Sequence, residues 1–398
     1  MSDIGSTPGL FPMEDEKPTG NVIGYPNTGV ISFQGLRHLE RAGELAASGG
    51  LLRDQFQPAS VDLRVGRRAF RVRASFLPGT GVKVLDRVRE LDSAPEIDLS
   101  KGAVFERGIV YVVELQESAR LTNGLVGYAN PKSSTGRLDV LTRLITDGAT
   151  AFDRVDRRYA GPLYIEVAPQ MFSIVVREGD RLNQLRFHRG TSPEQPKTTT
   201  GGIDDLYDKG QLVRTTGTRL PLRNNLVPVT VDLRGARPGS IVGYKARATT
   251  DPIDLTKVGH YDPRDFWEKI ESTNGRLYLD RGDFYILATS EEVGVPPNLA
   301  AEMIPYDSAS GEFRVHYAGF FDPGFGWSEK SGAGGSRAVL EVRSYGVSFM
   351  LEHGQTVGWL NYHRLASGPP DIVYGSTIKS HYQGQGVALA KHFKPWPA

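Results

Sequence analysis

The chain has 398 residues, enough for two domains of about 150–200 residues each, and its 39% hydrophobic and 23% charged residues can bury real cores, so it is not globally disordered. Lys+Arg 47 against Asp+Glu 46 leaves a net charge of +1, which argues against a dedicated nucleic-acid or membrane-surface binder. No cysteine is present, which excludes disulfides, thiolate nucleophiles, iron–sulfur clusters and thiolate zinc sites. The 8 histidines are scattered, with no HxH or HExxH pairing, so a zinc site is not expected. No apolar run approaches the roughly 18 residues of a membrane span, and a cytoplasmic protein is expected. The 46 glycines and 25 prolines point to many turns, hence to short strands.

Residues 1–27 lack a basic region followed by an apolar core, so they are read as a flexible arm and not as a secretory signal. A helix is predicted over Gln34–Ser48, with Leu36, Leu39 and Ala46 near one face and Leu45 off it. Next comes Pro58-Ala-Ser-Val-Asp-Leu-Arg64, where Asp62 and Arg64, neighbours on one strand face, are expected to form a structural ion pair. The period-two stretches Val110–Leu115, Met171–Val176 and Ser348–Glu352 read as strands. Pro263–Ser272 is a second helix candidate. The rest reads as antiparallel β, a barrel or jelly-roll-like sandwich in each half.

The halves repeat. Pro58–Arg64 recurs as Pro228-Val-Thr-Val-Asp-Leu-Arg234, Glu106-Arg-Gly-Ile-Val-Tyr111 as Asp280-Arg-Gly-Asp-Phe-Tyr285, and the strand around Glu166 as the one around Glu341. One nearly constant offset suggests tandem copies of one domain. The Thr-, Gly- and Pro-rich stretch Thr191–Arg223 is the expected junction. The predicted organisation is an arm over 1–27, a first β domain over 28–200, a linker over 201–222 and a second β domain over 223–398.

Four segments carry chemical potential. Lys132-Ser133-Ser134-Thr135-Gly136-Arg137 gathers hydroxyls, a glycine and two cations that can hold phosphate oxygens, though an ordinary Ser/Thr turn reads the same way. Glu166 and Glu341 each interrupt an apolar strand; a carboxylate on a partly buried face can serve as a general base, and on a solvated face it is only a surface charge. Ala318-Gly-Phe-Phe-Asp-Pro-Gly-Phe-Gly326 is predicted to be a β-hairpin whose aromatics can admit a flat base, with Phe152–Gly161 as a looser first-half counterpart. The tail Tyr374–Gln385 is polar and glycine-containing, either a disordered terminus or a segment that orders over a phosphorylated ligand.

In this order, Phe56–Gly66, Lys132-Ser-Ser-Thr-Gly-Arg137, a hairpin, a strand glutamate and the Tyr-x-Gly-Gln tail closely resemble the dCTP deaminase family of the trimeric dUTPase-like superfamily, in its long, duplicated form. The resemblance runs from about residue 28 to the end. It implies an all-β fold, a β-clip or distorted jelly-roll in each of two tandem copies, with a few short helices. It also implies zinc-independent hydrolysis of dCTP to dUTP and ammonia for dUMP and dTTP supply, with Mg2+ riding on the triphosphate.

Carried over by motif, Ser133, Ser134 and Arg137 match SSxxR, and Lys132 stands where the family often has arginine. Glu166 and Glu341 both match the catalytic glutamate. Ala318, Gly319 and Asp322 match the base-reading hairpin, and Tyr374, Lys379, Tyr382 and Gln385 match the lid. His381 departs from a common lysine. The second half has Asp307-Ser-Ala-Ser-Gly-Glu312 in place of SSxxR, with no arginine at the right spacing. Leu206–Gln211 is a partial lid match for the first half.

Sites in this superfamily are built between neighbouring subunits. One composite site is therefore expected, joining Ser133, Ser134 and Arg137 to Ala318, Asp322, Glu341 and the second-half lid. The alternative pairs Arg137 with Glu166 of another chain in a homo-oligomer around a threefold axis. The resemblance also implies dTTP as an inhibitor. Alternative functions are a dUTP diphosphatase, a bifunctional enzyme giving dUMP, and a non-catalytic nucleotide sensor.

Overall fold

The computed structural model describes residues 28–91, 96–122, 124–190, 202–215, 217, 219–272, 274–305, 313–316, 319–328, 332–366, 368–375 and 384–397. The predicted arm, Asp307–Glu312, Ala318, Lys379, His381 and Tyr382 lie outside the described residues.

The chain is mostly β, and the duplication is visible strand by strand. In the first copy the strands Glu96–Asp98, Val65–Val72, Val110–Arg120, Ala160–Pro169 and Val140–Thr146 lie side by side in that order, and Leu45–Ala47 also pairs with Val110–Arg120. In the second copy Trp267–Glu271, Ile241–Ala246, Phe284–Val293, Arg337–Ser344 and Phe313–His316 follow the same order, with Val213–Arg214 on Phe284–Val293. A second sheet also repeats: Val61–Leu63, Asn183–Arg189, Leu125–Pro131 and Arg154–Val155 correspond to Val227–Thr230, Thr356–Arg364, Leu299–Pro305 and Phe320–Phe321.

The apolar runs explain this layering. Strand Ala160–Pro169 is buried on both faces from Leu163 to Pro169, as expected for a strand inside a two-layer core. Glu166 therefore sits on a fully buried face, not on a partly exposed one.

Several predicted elements shift. The helix expected over Gln34–Ser48 spans Phe33–Arg41 only. Gly43, with φ of +69°, takes the chain out of the helix, and Leu45, off the helical face, belongs to a strand. The candidate Pro263–Ser272 is one helical turn, Pro263–Phe266, capped by Asp262, whose side chain accepts from the Arg264 N–H at 3.0 Å. The remainder is the strand Trp267–Glu271.

The stretch read as linker is structured. Helix Ile203–Asp208 and strand Val213–Arg214 stand where helix Phe33–Arg41 and strand Leu45–Ala47 stand in the first copy, and Ile203, Tyr207, Leu212 and Val213 are buried in the second core. The lid reading of Leu206–Gln211 falls with it, because Tyr207 Oη donates to the Leu220 carbonyl at 2.6 Å inside that core. Asp62 and Arg64 do not pair with each other. Arg64 Nε bonds Glu117 Oε1 at 2.9 Å, and Asp62 takes Lys132 Nζ at 2.5 Å.

The main apolar junction between the two copies runs through their largest core. Strand Ile253–Asp254 of the second copy pairs in parallel with Ile174–Val176 of the first. Arg177 grips Asp254 with two bonds of 2.7 and 3.0 Å. Phe172 packs edge-on against the fully buried Trp267, with centroids 5.2 Å apart, and Phe393 of the C-terminal segment covers Trp267 at 5.9 Å. This continuous core sets the first copy's Lys132–Arg137 turn against the second copy's Glu341 strand. No helix among the described residues is long and apolar enough to cross a membrane.

Candidate active site

Strand Leu125–Pro131 runs straight into a single helical turn, Ser133–Gly136, with Lys132 at its start. The N–H groups of Thr135 and Gly136 bond the Lys132 carbonyl at 2.8 and 2.9 Å, and the Arg137 N–H bonds the Ser133 carbonyl at 3.1 Å. This tight turn exposes Ser133 and buries Ser134 and Arg137.

The turn forms one wall of a cavity of about 450 Å³ between the copies, within the ~300–1,000 Å³ of small-molecule sites. Lys132, Ser133, Ser134 and Arg137 line it from the first copy, and Gly319, Asp322, Glu341, Tyr374 and Gln385 from the second. Arg137 bridges the boundary: its guanidinium donates to Gln385 Oε1 at 3.0 Å and to the Ala388 carbonyl at 3.1 Å.

Glu341 sits mid-strand in Arg337–Ser344, opposite Ile286 on one side and His316 on the other. Burial pushes its carboxyl up to about 8; the positive charge of Arg137 opposes that rise and Asp139 adds to it. Such a carboxyl can both take and return a proton near neutral pH.

Glu166 has a different setting. It is buried against Arg143, whose Nη2 and Nε reach its Oε1 at 2.6 and 3.0 Å, while the same guanidinium lies 3.7 Å from the Phe152 ring centroid. Glu166 does not line the 450 Å³ cavity. A neighbouring space of about 400 Å³, bordered by Asn130, Arg143, Phe152, Asp153 and Glu302, lies on that side.

The expected hairpin is not self-paired. Phe320–Phe321 pairs with Leu299–Pro305, and Trp327–Ser328 pairs with Gly332–Ala333, so the Asp322–Gly326 turn connects two different sheets. Tyr374 holds this turn through its N–H, which donates to the Pro323 carbonyl at 2.9 Å. Arg186 of the first copy lies beneath it, fully buried, 4.1 Å from the Phe320 centroid, and donates to the carbonyls of Ala301 and Phe321 and to Asp322 Oδ1 at 3.0, 3.3 and 3.3 Å. Burial raises the Asp322 carboxyl, against the pull of Arg186.

Sequence reasoning missed several lining residues. Arg181, Gln184 and Lys391 reach the cavity, and Arg181 ties Asp54 at 2.8 Å. None of these positions is marked by a repeat or a motif. Arg186 had a signal: a lone arginine inside the buried run Asn183–His188. The described residues hold no group of three His, Asp or Glu side chains placed for a metal ion.

A family model for the 2'-deoxycytidine 5'-triphosphate deaminase N-terminal domain matches residues 27–191, and one for its C-terminal domain matches residues 201–393. The chain belongs to the dCTP deaminase family. Among solved structures, the 2'-deoxycytidine 5'-triphosphate deaminase of Agrobacterium tumefaciens is 45% identical, with a TM-score of 0.77 over 85% of this chain and 99% of that one. Its near-full coverage extends the likeness to both copies of this deaminase. The "dCTP deaminase, dUMP-forming" of Beutenbergia cavernae is 29% identical over 166 residues, 40% of this chain and 76% of the relative. The dCTP deaminase of Natronomonas pharaonis is 29% identical over 162 residues, 40% of this chain and 75% of that one. These shorter relatives each match a length close to one copy of the deaminase.

Proposed function

We propose that the chain hydrolyses the C4 amino group of dCTP, giving dUTP and ammonia, in the cavity between its two copies. The observation that carries this reading is the buried Glu341 carboxyl, raised to about 8, in one cavity with Arg137, Ser133 and Ser134.

In this mechanism Glu341 takes a proton from water as the hydroxide adds to C4, and delivers it to N3. The Glu341 carboxylate then moves the proton of the new C4 hydroxyl to the amino nitrogen, the C4–N bond breaks, ammonia leaves and the C4 carbonyl forms. The atoms balance as dCTP plus water going to dUTP plus ammonia. A group near its pKa at working pH suits these transfers. Ser133 and Arg137 orient the water and stabilise the charge that develops on it. Gly319 and Asp322 form the base-reading wall, to which the hairpin motif also assigns Ala318.

Lys132 and Ser134 hold the triphosphate, joined by Arg181 and Lys391, which line the same cavity. Tyr374 and Gln385 begin the cover over sugar and phosphates, to which the lid motif also assigns Lys379 and Tyr382. Mg2+ arrives with the triphosphate as part of the substrate. The chemistry is zinc-independent, because zinc deaminases take cysteine ligands and this sequence has none. The product feeds the dUMP and thymidylate supply.

The name of the Beutenbergia relative supports a second reading, in which dUTP is hydrolysed further to dUMP and pyrophosphate. Anion-exchange chromatography of dCTP incubated with the protein and magnesium tests both. A dUTP peak fits deamination alone, a dUMP peak fits the second reading, and an unchanged dCTP peak refutes both.

A further inference from the structure

Two residues beyond Arg137 the chain reaches Asp139, and two residues beyond Glu341 it reaches Arg343. These two meet: Arg343 Nη2 donates to Asp139 Oδ2, and Arg343 Nη1 donates to the Gly282 carbonyl. Both side chains are buried, at 2% exposure for Asp139 and 8% for Arg343. The turn itself sets the position of Asp139. Its N–H bonds the Gly136 carbonyl at 2.9 Å, its carbonyl takes the Gln170 N–H at 2.8 Å, and its φ is +54°. That is the left-handed region, where Asp and Asn are tolerated best among residues with side chains. Two residues beyond Glu166 stands Ala168, so the first copy's glutamate strand carries no equivalent charge.

We propose that Asp139 and Arg343 are a positioning pair for the deamination, clamping the Ser133–Arg137 turn of one copy to the Glu341 strand of the other and keeping the charge beside Glu341 compensated. The proposal rests on reading Glu341 as the general base. Neither residue lines the cavity, so both act through Arg137 and Glu341.

Among the described side chains, the charged groups around Glu341 are Arg137 and Asp139 from the first copy and, two residues on in its own strand, Arg343, with Ile286 its register partner on one side. Removing either partner of a buried pair changes the balance of charge beside Glu341. The two losses have opposite sign. Asp139→Asn, which keeps the left-handed backbone, removes a negative charge and leaves the Arg343 cation. The carboxylate form of Glu341 is then favoured. Arg343→Gln leaves the Asp139 anion and disfavours that form.

The experiment is the pH dependence of kcat/KM for dCTP in the full-length protein. The acidic limb is expected to move down by about half a unit or more in Asp139→Asn, and up by a similar amount in Arg343→Gln. Arg343→Lys and the double variant Asp139→Asn/Arg343→Gln restore the charge balance and are expected to return the limb to its original place. Limbs that stay put in both single variants, or move in the same direction, overturn the proposal. Should a single variant be unfolded at the assay temperature, Arg343→Lys and the double variant decide, and a displaced limb in either overturns it. Turnover by Glu341→Gln is a separate result, which refutes the base reading and not the pair.

Discussion

The guanidinium of Arg137 lies 3.0 Å from the Gln385 amide oxygen, a bond between the turn of the first copy and the C-terminal segment of the second. The same group holds the Ala388 carbonyl, so the segment is tied down where it passes the cavity. Arg137→Gln should therefore do two things. Turnover should fall by about 10²–10³-fold through loss of a charge-stabilising donor, and the C-terminal segment should become cleavable by trypsin after Lys391. Lost activity with an unchanged digestion pattern would break the link between these roles.

The Glu341 carboxyl, raised by burial to about 8, makes a prediction about activity. The base form grows as pH rises, so kcat/KM should climb with pH through an acidic limb near 8. A limb near the ordinary carboxylate value would contradict this. Arg137 opposes the rise, so in Arg137→Gln the residual activity should show a limb at still higher pH.

The same shift has a consequence for stability. The folded pKa lies above the unfolded one, so the folded state retains a proton that the unfolded state releases. Stability from this group is present below about 4.5 and is lost as pH rises toward about 8. Glu341→Gln should remove that loss. It should melt above the parent protein at pH 8, by an amount on the order of a few kcal/mol, and the gap should shrink toward pH 5. Equal gaps at both pH values would refute the raised pKa.

Gly324 has a φ of +96°, and a Cβ there would stand 2.2 Å from Val373 Cγ1 and 2.7 Å from the Tyr374 carbonyl oxygen. Because one of these atoms is backbone, Gly324→Ala should push Tyr374 off the turn. The expected outcome is a lower melting temperature and a KM for dCTP raised at least several-fold. An unchanged KM would show that Tyr374 does not cover the nucleotide.

Arg186→Met should cost about 3–5 kcal/mol, because it removes the donor to the Asp322 carboxylate and to the carbonyls of Ala59, Ala301 and Phe321. Pairing it with Asp322→Asn should recover part of that loss. Thermal melts of the single and double variants measure the coupling, and strictly additive losses would mean that Arg186 and Asp322 do not support each other.

The duplication was legible because PASVDLR and the glutamate strands repeat, and their strands occupy matching places in the sheets. The second copy's opening was not. Ile203, Tyr207, Leu212 and Val213 follow a glycine- and threonine-rich stretch whose composition reads as linker, and only burial reveals them as core. Helix ends were misplaced where one residue changed the backbone, as at Gly43. In the site, the turn and the glutamates carried motifs. Arg181, Gln184 and Lys391 reach the cavity from parts of the chain that local patterning cannot bring together. Arg343 was closer to legible, since period two puts it on the same strand face as Glu341.

The most direct test of a single site shared between the copies is ammonia release from dCTP by Glu341→Gln and Glu166→Gln, both verified as folded by circular dichroism. Glu341→Gln should lose about 10²–10⁴-fold in kcat. Glu166→Gln should turn over within a few-fold of the parent, since Glu166 is paired with Arg143 away from the cavity. Loss of turnover in Glu166→Gln alone, with Glu341→Gln active, would contradict the shared site and assign the chemistry to Glu166.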